Sequence, residues 1–122
     1  MKFVAQSIRS FIGAKNFATS RKFYTALGFE EVVIDPKMSY FRVQQTFGFY
    51  LQDYYVKDWI DNSMILLEVR DFDNCYAELM ELKLPERFPG VRFSKIREES
   101  WGRELHMVDP AGVLWHFAEF RG

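Results

Sequence analysis

Apolar and polar positions along this chain change period in a fixed order, and the order occurs twice. The run SFIGAK (residues 10–15) alternates as a strand would, and AKNFATSRKFYTAL (residues 14–27) then places Phe17, Phe23, Tyr24 and Leu27 at helical spacing behind Asn16, a capping-type residue. Three strand-like runs follow: EEVVID, MSYFRV and GFYLQDYY. The order then returns. SMILLEVR (residues 63–70) reads as a strand, VRDFDNCYAELMEL (residues 69–82) as a helix with Phe72, Tyr76, Leu79 and Leu82 on one face behind Asp71, and RFSKIREE, RELHMVD and VLWHFAEF as three more strands. VKDWIDN is expected as a polar linker, LPERFPG as a loop, and DPAG as a tight turn between the last two strands.

The two helical stretches align Phe17 with Phe72 and Leu27 with Leu82, so the chain is a strand, a helix and three strands written twice. This predicts an α+β fold of two βαβββ repeats, about residues 9–56 and 63–121. They are expected to pair as one domain over residues 1–122, because neither repeat alone can bury both faces of its sheet.

Composition adds three things. Aromatic residues make up 18% of the chain, with 13 Phe, which directs attention to a pocket or interface as well as a core. Sixteen Lys and Arg against 17 Asp and Glu give a net charge of -1 without a basic stripe, so nucleic acid is not an expected partner. No segment reaches the roughly 20 apolar residues of a membrane span, and MKFVAQSIRSF is not a signal peptide, so the expected location is the cytoplasm. The single cysteine, Cys75, reads as a small buried hydrophobe on the second helix.

FYTALGFE after the first helix, the repeated βαβββ order, and DPAG followed by VLWHFAEF resemble the glyoxalase, bleomycin-resistance and extradiol-dioxygenase superfamily along nearly the whole chain. Within it, WGREL, DPAG, HFAE and CYAEL are similar to the bleomycin resistance proteins. The resemblance implies a curved mixed sheet around a groove, a homodimer whose grooves form between subunits, and residues 1–8 as an arm that can be exchanged. It also implies that Trp101 stacks on the ligand, and that Leu66 stands where relatives carry an aromatic stacking residue. The metal enzymes of the superfamily take their ligands from the first and last strand of each repeat. Those positions are assigned to Arg9, Gln52, Met64 and His116, with the repeat pairing Arg9 with Met64 and, by matching Gly48 to Gly112, Gln52 with His116. A guanidinium is always cationic, a thioether suits soft ions and Gln is a weak donor, so no metal, cofactor or catalytic residue is expected.

If Val108 and Val113 close the last hairpin, alternation puts His116 on one face with Leu114 and Ala118, and His106 on the other. His116 is then either a groove histidine satisfied by one hydrogen bond or a ligand contact, and His106 belongs to the sheet surface. Trp115 is expected in the core, and Trp59 as an interface anchor or a loop plug. Tyr40, Phe49, Leu51 and Leu66 lie on strands expected to curve around the groove, with their faces undecided. Arg9 would favour a carboxylate-bearing ligand or be neutralised by Glu119. The expected binding set is Trp101, His116, Gln52, Arg9, Met64, Leu66, Tyr40 and Phe49. The expected function is sequestration of a bleomycin-like small molecule without catalysis, with a metal-dependent lyase, isomerase or dioxygenase as the alternative.

Overall fold

A computed structural model describes residues 2–121. The first repeat contains β1 (Phe11–Gly13), α1 (Phe17–Ala26), β2 (Glu30–Asp35), β3 (Met38–Gln44) and β4 (Phe47–Gln52). Its sheet has the order β1-β4-β3-β2, with β1 parallel to β4 and the other pairs antiparallel. After α2 (Lys57–Asp61), the second repeat contains β5 (Met64–Glu68), α3 (Phe72–Glu81), α4 (Leu84–Arg87), β6 (Arg92–Phe93), β7 (Arg97–Glu99), β8 (Gly102–Val108) and β9 (Leu114–Phe120). Its sheet repeats the plan: β5 runs parallel to β9, β9 antiparallel to β8, and β6 and β7 pair successively with β8.

Both long helices start where the sequence predicts. The side chains of Asn16 and Asp71 accept from the backbone N–H groups of Thr19 and Asn74, three residues on, so each satisfies an otherwise orphaned donor. Two stretches differ from expectation. The supposed linker forms α2, whose Ile60 is buried, and the supposed loop after α3 forms α4, whose Leu84 is buried. Lys83 takes a left-handed conformation at φ 54°, which ends α3 and lets α4 start with Pro85 in its first turn. RFSKIREE is also broken: Arg92 and Phe93 pair one residue out of register with Arg97–Glu99, so the intervening residues bulge.

One core joins the repeats. Tyr24 of α1 lies against Phe49 of β4 and Trp115 of β9, and the Phe49 and Trp115 rings are 5.4 Å apart. The helix-facing sides of the two sheets are therefore turned toward each other. Their other faces, reached by the alternate side chains of each strand, point away from each other. Among the described residues no helix is long and apolar enough to cross a membrane.

Candidate functional site

The geometry of the second sheet starts at the DPAG turn. The Asp109 carboxylate is buried; its Oδ1 accepts from the backbone N–H groups of Ala111, Gly112 and Val113, each at 2.9 Å, and its Oδ2 accepts from the Tyr24 hydroxyl at 2.5 Å. Burial pushes this carboxyl above its ordinary 3.8, against the opposing pull of those hydrogen bonds. Gripped this way, the turn closes with Val108 opposite Leu114, not Val113. That one-residue difference overturns the expectation that the two histidines lie on opposite faces, because a slip of one residue exchanges every side chain between faces. His106 and His116 are direct cross-strand partners on the open face, with ring centroids 4.4 Å apart.

Glu104 completes this group, and sequence reasoning missed it. It stands two residues from His106 on the same face of β8, opposite Ala118, whose small side chain leaves it room to lie along the strand. The Nδ1 of His116 donates to Glu104 Oε1 at 2.9 Å, and the Nε2 of His106 pairs with the same oxygen. Burial alone pushes the Glu104 carboxyl up, but the hydrogen bonds from His116 and His106 outweigh it and hold the group below its ordinary 4.5. On its other side His116 Nε2 lies 3.5 Å from Met64 Sδ. Met64 and Leu66 are exposed on β5, and at the far end of the face Trp101 packs against Phe120 with centroids 5.1 Å apart.

On the open face of the first sheet, the Arg9 guanidinium lies 4.8 Å from the centre of the Tyr40 ring and donates to the Tyr50 hydroxyl at 3.0 Å. Tyr40 and Tyr50 are cross-strand partners, and Phe11 stacks on Tyr50 at 4.6 Å. Tyr40 is nearly covered because its ring lies over Gly48, where a Cβ would meet its hydroxyl at 2.7 Å. Gln52 is on this face, two residues along from Tyr50 and opposite Met38. Phe49 and Leu51 are not: at 3% and 0% exposure they lie in the core, which corrects the expectation for Phe49. An odd separation from Gln52 puts it on the opposite side of the strand.

The sheet registers also revise the pairing of the repeats. His116 is opposite Leu66, and Tyr50 is opposite Phe11; Phe11 and Leu66 are equivalent when the helices are aligned. The counterpart of His116 is therefore Tyr50, not Gln52. The two equivalent pairs are Arg9 with Tyr50 and Met64 with His116. A cation, a phenol, a thioether and one imidazole do not form a site for a divalent metal at the superfamily positions. The pairs also lie on faces that point apart within one chain, so they do not share one cavity there.

The remaining expectations divide. Trp115 is buried, with its indole N–H donating to the Tyr24 hydroxyl at 3.0 Å. Trp59 is exposed on α2 beside Tyr54, so it plugs no loop. Cys75 is half-buried, and burial pushes its thiol up. Glu119 does not neutralise Arg9: it pairs with Arg103 at 3.0 Å and accepts from the backbone N–H of Phe72 at the start of α3. Among the described residues no carboxylate forms an ion pair with Arg9.

No protein-family model matches the chain, and no curated protein matches it. Solved structures do. The bleomycin-binding protein of bleomycin-producing Streptomyces verticillus, solved with copper(II)-bleomycin, is 21% identical, with 99% of each chain covered and a TM-score of 0.75. The bleomycin resistance determinant of transposon Tn5 is 17% identical over 97% of this chain and 100% of its own, at 0.73. A glyoxalase family protein from Bacillus anthracis is 16% identical over 99% and 100%, at 0.72. The chain has the paired βαβββ fold found in these bleomycin-binding and glyoxalase-family structures.

Proposed function

We propose that this chain is a small-molecule binding protein that traps a flat, aromatic antibiotic of the bleomycin type, without chemical change, in grooves formed between two copies. One observation carries the reading: the two faces that bear the candidate residues point apart, and both leave apolar and aromatic side chains in the open. Phe11 is 55% exposed, Met64 65%, Leu66 52% and Phe120 47%. Open faces of this kind mark a binding surface. A two-fold pair of chains brings the Arg9, Tyr40, Tyr50 and Gln52 face of one copy against the Trp101, His116, Met64 and Leu66 face of the other.

Residues 2–8 have no regular secondary structure, and Phe3, Val4 and Ile8 on them are exposed. This stretch is suited to cross to the second copy as an arm; Met1, the first residue of the expected arm, lies outside the described residues. In the groove, Trp101 supplies a stacking surface, His116 and Gln52 supply hydrogen bonds, and Arg9 draws a carboxylate or other anionic group. A cytoplasmic location goes with this reading.

The test is a titration with bleomycin followed by tryptophan fluorescence, together with light scattering on the eluting protein. Saturable quenching that disappears in Trp101→Phe, from a species of twice the chain mass, is the expected result. A monomer, or quenching unchanged in Trp101→Phe, would sink the proposal. A second reading, a metal-dependent enzyme, is favoured by one feature, the imidazole pair around Glu104, and requires turnover of a substrate that depends on those three residues.

A further inference from the structure

The group formed by Glu104, His106 and His116 departs from the superfamily metal positions. Only His116 is common to both sets, and the other two residues come from β8, a strand that contributes none of those positions. One ligand atom from each of the three lies within 4.8 Å of the others, and all three residues are partly buried. The side chains keep 12%, 22% and 19% of their exposure for Glu104, His106 and His116, so the donors are fixed by their surroundings while one side of the group remains open to the face. We infer that these residues form a site for a first-row divalent transition metal ion of the zinc type.

The donor chemistry fits. Two imidazole nitrogens and one carboxylate oxygen are the borderline ligands that zinc and its neighbours take, and sites of three protein ligands leave the remaining positions to water or an incoming molecule. The geometry is close to what is needed. The ligand atoms of one tetrahedral ion stand about 3.3 Å apart, and His116 Nδ1 and His106 Nε2 already converge on Glu104 Oε1, the first at 2.9 Å. Side-chain rotation alone opens the centre of the triangle. The ion would sit where the contacts between the imidazoles and the carboxylate now run, and a single negative charge from Glu104 would face its double positive charge. One cation flanks the group: Arg97, exposed on β7, stands directly opposite Glu104, whereas Leu66 flanks His116 on β5 and Glu68 lies beyond Ala118 from Glu104.

The backbone supports the same conclusion. Glu104 and His106 sit on one strand at a spacing of two, and His116 is fixed opposite His106 by the Asp109 turn, so no loop has to order itself to assemble the three donors.

Metal-free protein titrated with Zn(II) by calorimetry and with Co(II) by visible absorption tests the inference without any organic ligand, so its failure and that of the antibiotic reading are distinguishable. The expected result is one ion per chain, with affinity falling roughly tenfold or more in Glu104→Gln, His106→Gln and His116→Gln and retained in Met64→Leu. Circular dichroism of the metal-free variants establishes that each is folded, and His106→Asn serves where His106→Gln is not. Absence of uptake overturns the site. So does uptake that survives Glu104→Gln and His106→Gln, or that is lost in Met64→Leu, since either would put the ion elsewhere.

Discussion

A single aspartate has a large share in deciding what the second sheet presents. Asp109 accepts three backbone N–H groups and the Tyr24 hydroxyl, and Asp109→Ala leaves all four donors without it, two of them in the core. Loss of about 3 kcal/mol or more is expected, read from urea unfolding, whereas a substitution at an exposed position such as Asp58 should stay within about 0.5 kcal/mol. Acid stability depends on another carboxylate. Burial pushes Glu31 up, but the hydrogen bonds from Arg21 and Ser39 and the charge of Arg21 outweigh it and leave it below its ordinary 4.5. A carboxyl lowered in the folded state stabilises the protein above that value and loses this contribution as pH falls through its folded value. Glu31→Gln should therefore flatten the decline of melting temperature below pH 4.5. At this scale the sequence was partly legible. Gln52 and Phe49 could not share a face of one strand, and applying the two-residue period from Gln52 would have selected Tyr50.

Among the elements, helix starts were readable because a cap is a local device: Asn16 and Asp71 bond to groups three residues away. Strand register was not, because alternation alone does not say whether Val113 or Leu114 closes the hairpin, and the Asp109 side chain that grips the turn also bonds Tyr24, 85 residues away in the chain. Two short helices were likewise invisible, since α2 and α4 are fixed by burying Ile60 and Leu84 and not by their own periodicity. The register itself can be checked chemically. In His106→Cys/His116→Cys, Cα atoms of direct partners stand about 4.5–5.5 Å apart, within disulfide range, so mild oxidation should close the bridge. The pair His106→Cys/Leu114→Cys should remain reduced. Backbone approach sets a further limit at the Trp101 end, where a Cβ on Gly102 would lie 1.9 Å from the Glu119 carbonyl oxygen. Gly102→Ala should destabilise by about 1–3 kcal/mol and loosen Trp101 from Phe120, visible as altered tryptophan emission.

For the molecule as a whole, the repeat was legible from end to end, and the way its two sheets face was not, because strand patterns record which side is buried but not what lies on the other. That the two open faces point apart has a consequence for genetics as well as for shape. In the proposed pair, each groove has one wall from each chain, so damage to one wall is not equivalent to damage in one chain. An Arg9→Ala/Tyr50→Ala chain and a Trp101→Ala chain, each defective alone, should complement when refolded or expressed together. A mixed pair has one groove with both lesions and one with none. Random mixing makes half of the pairs mixed, so about a quarter of the wild-type sites should return. Grooves built within single chains would return none.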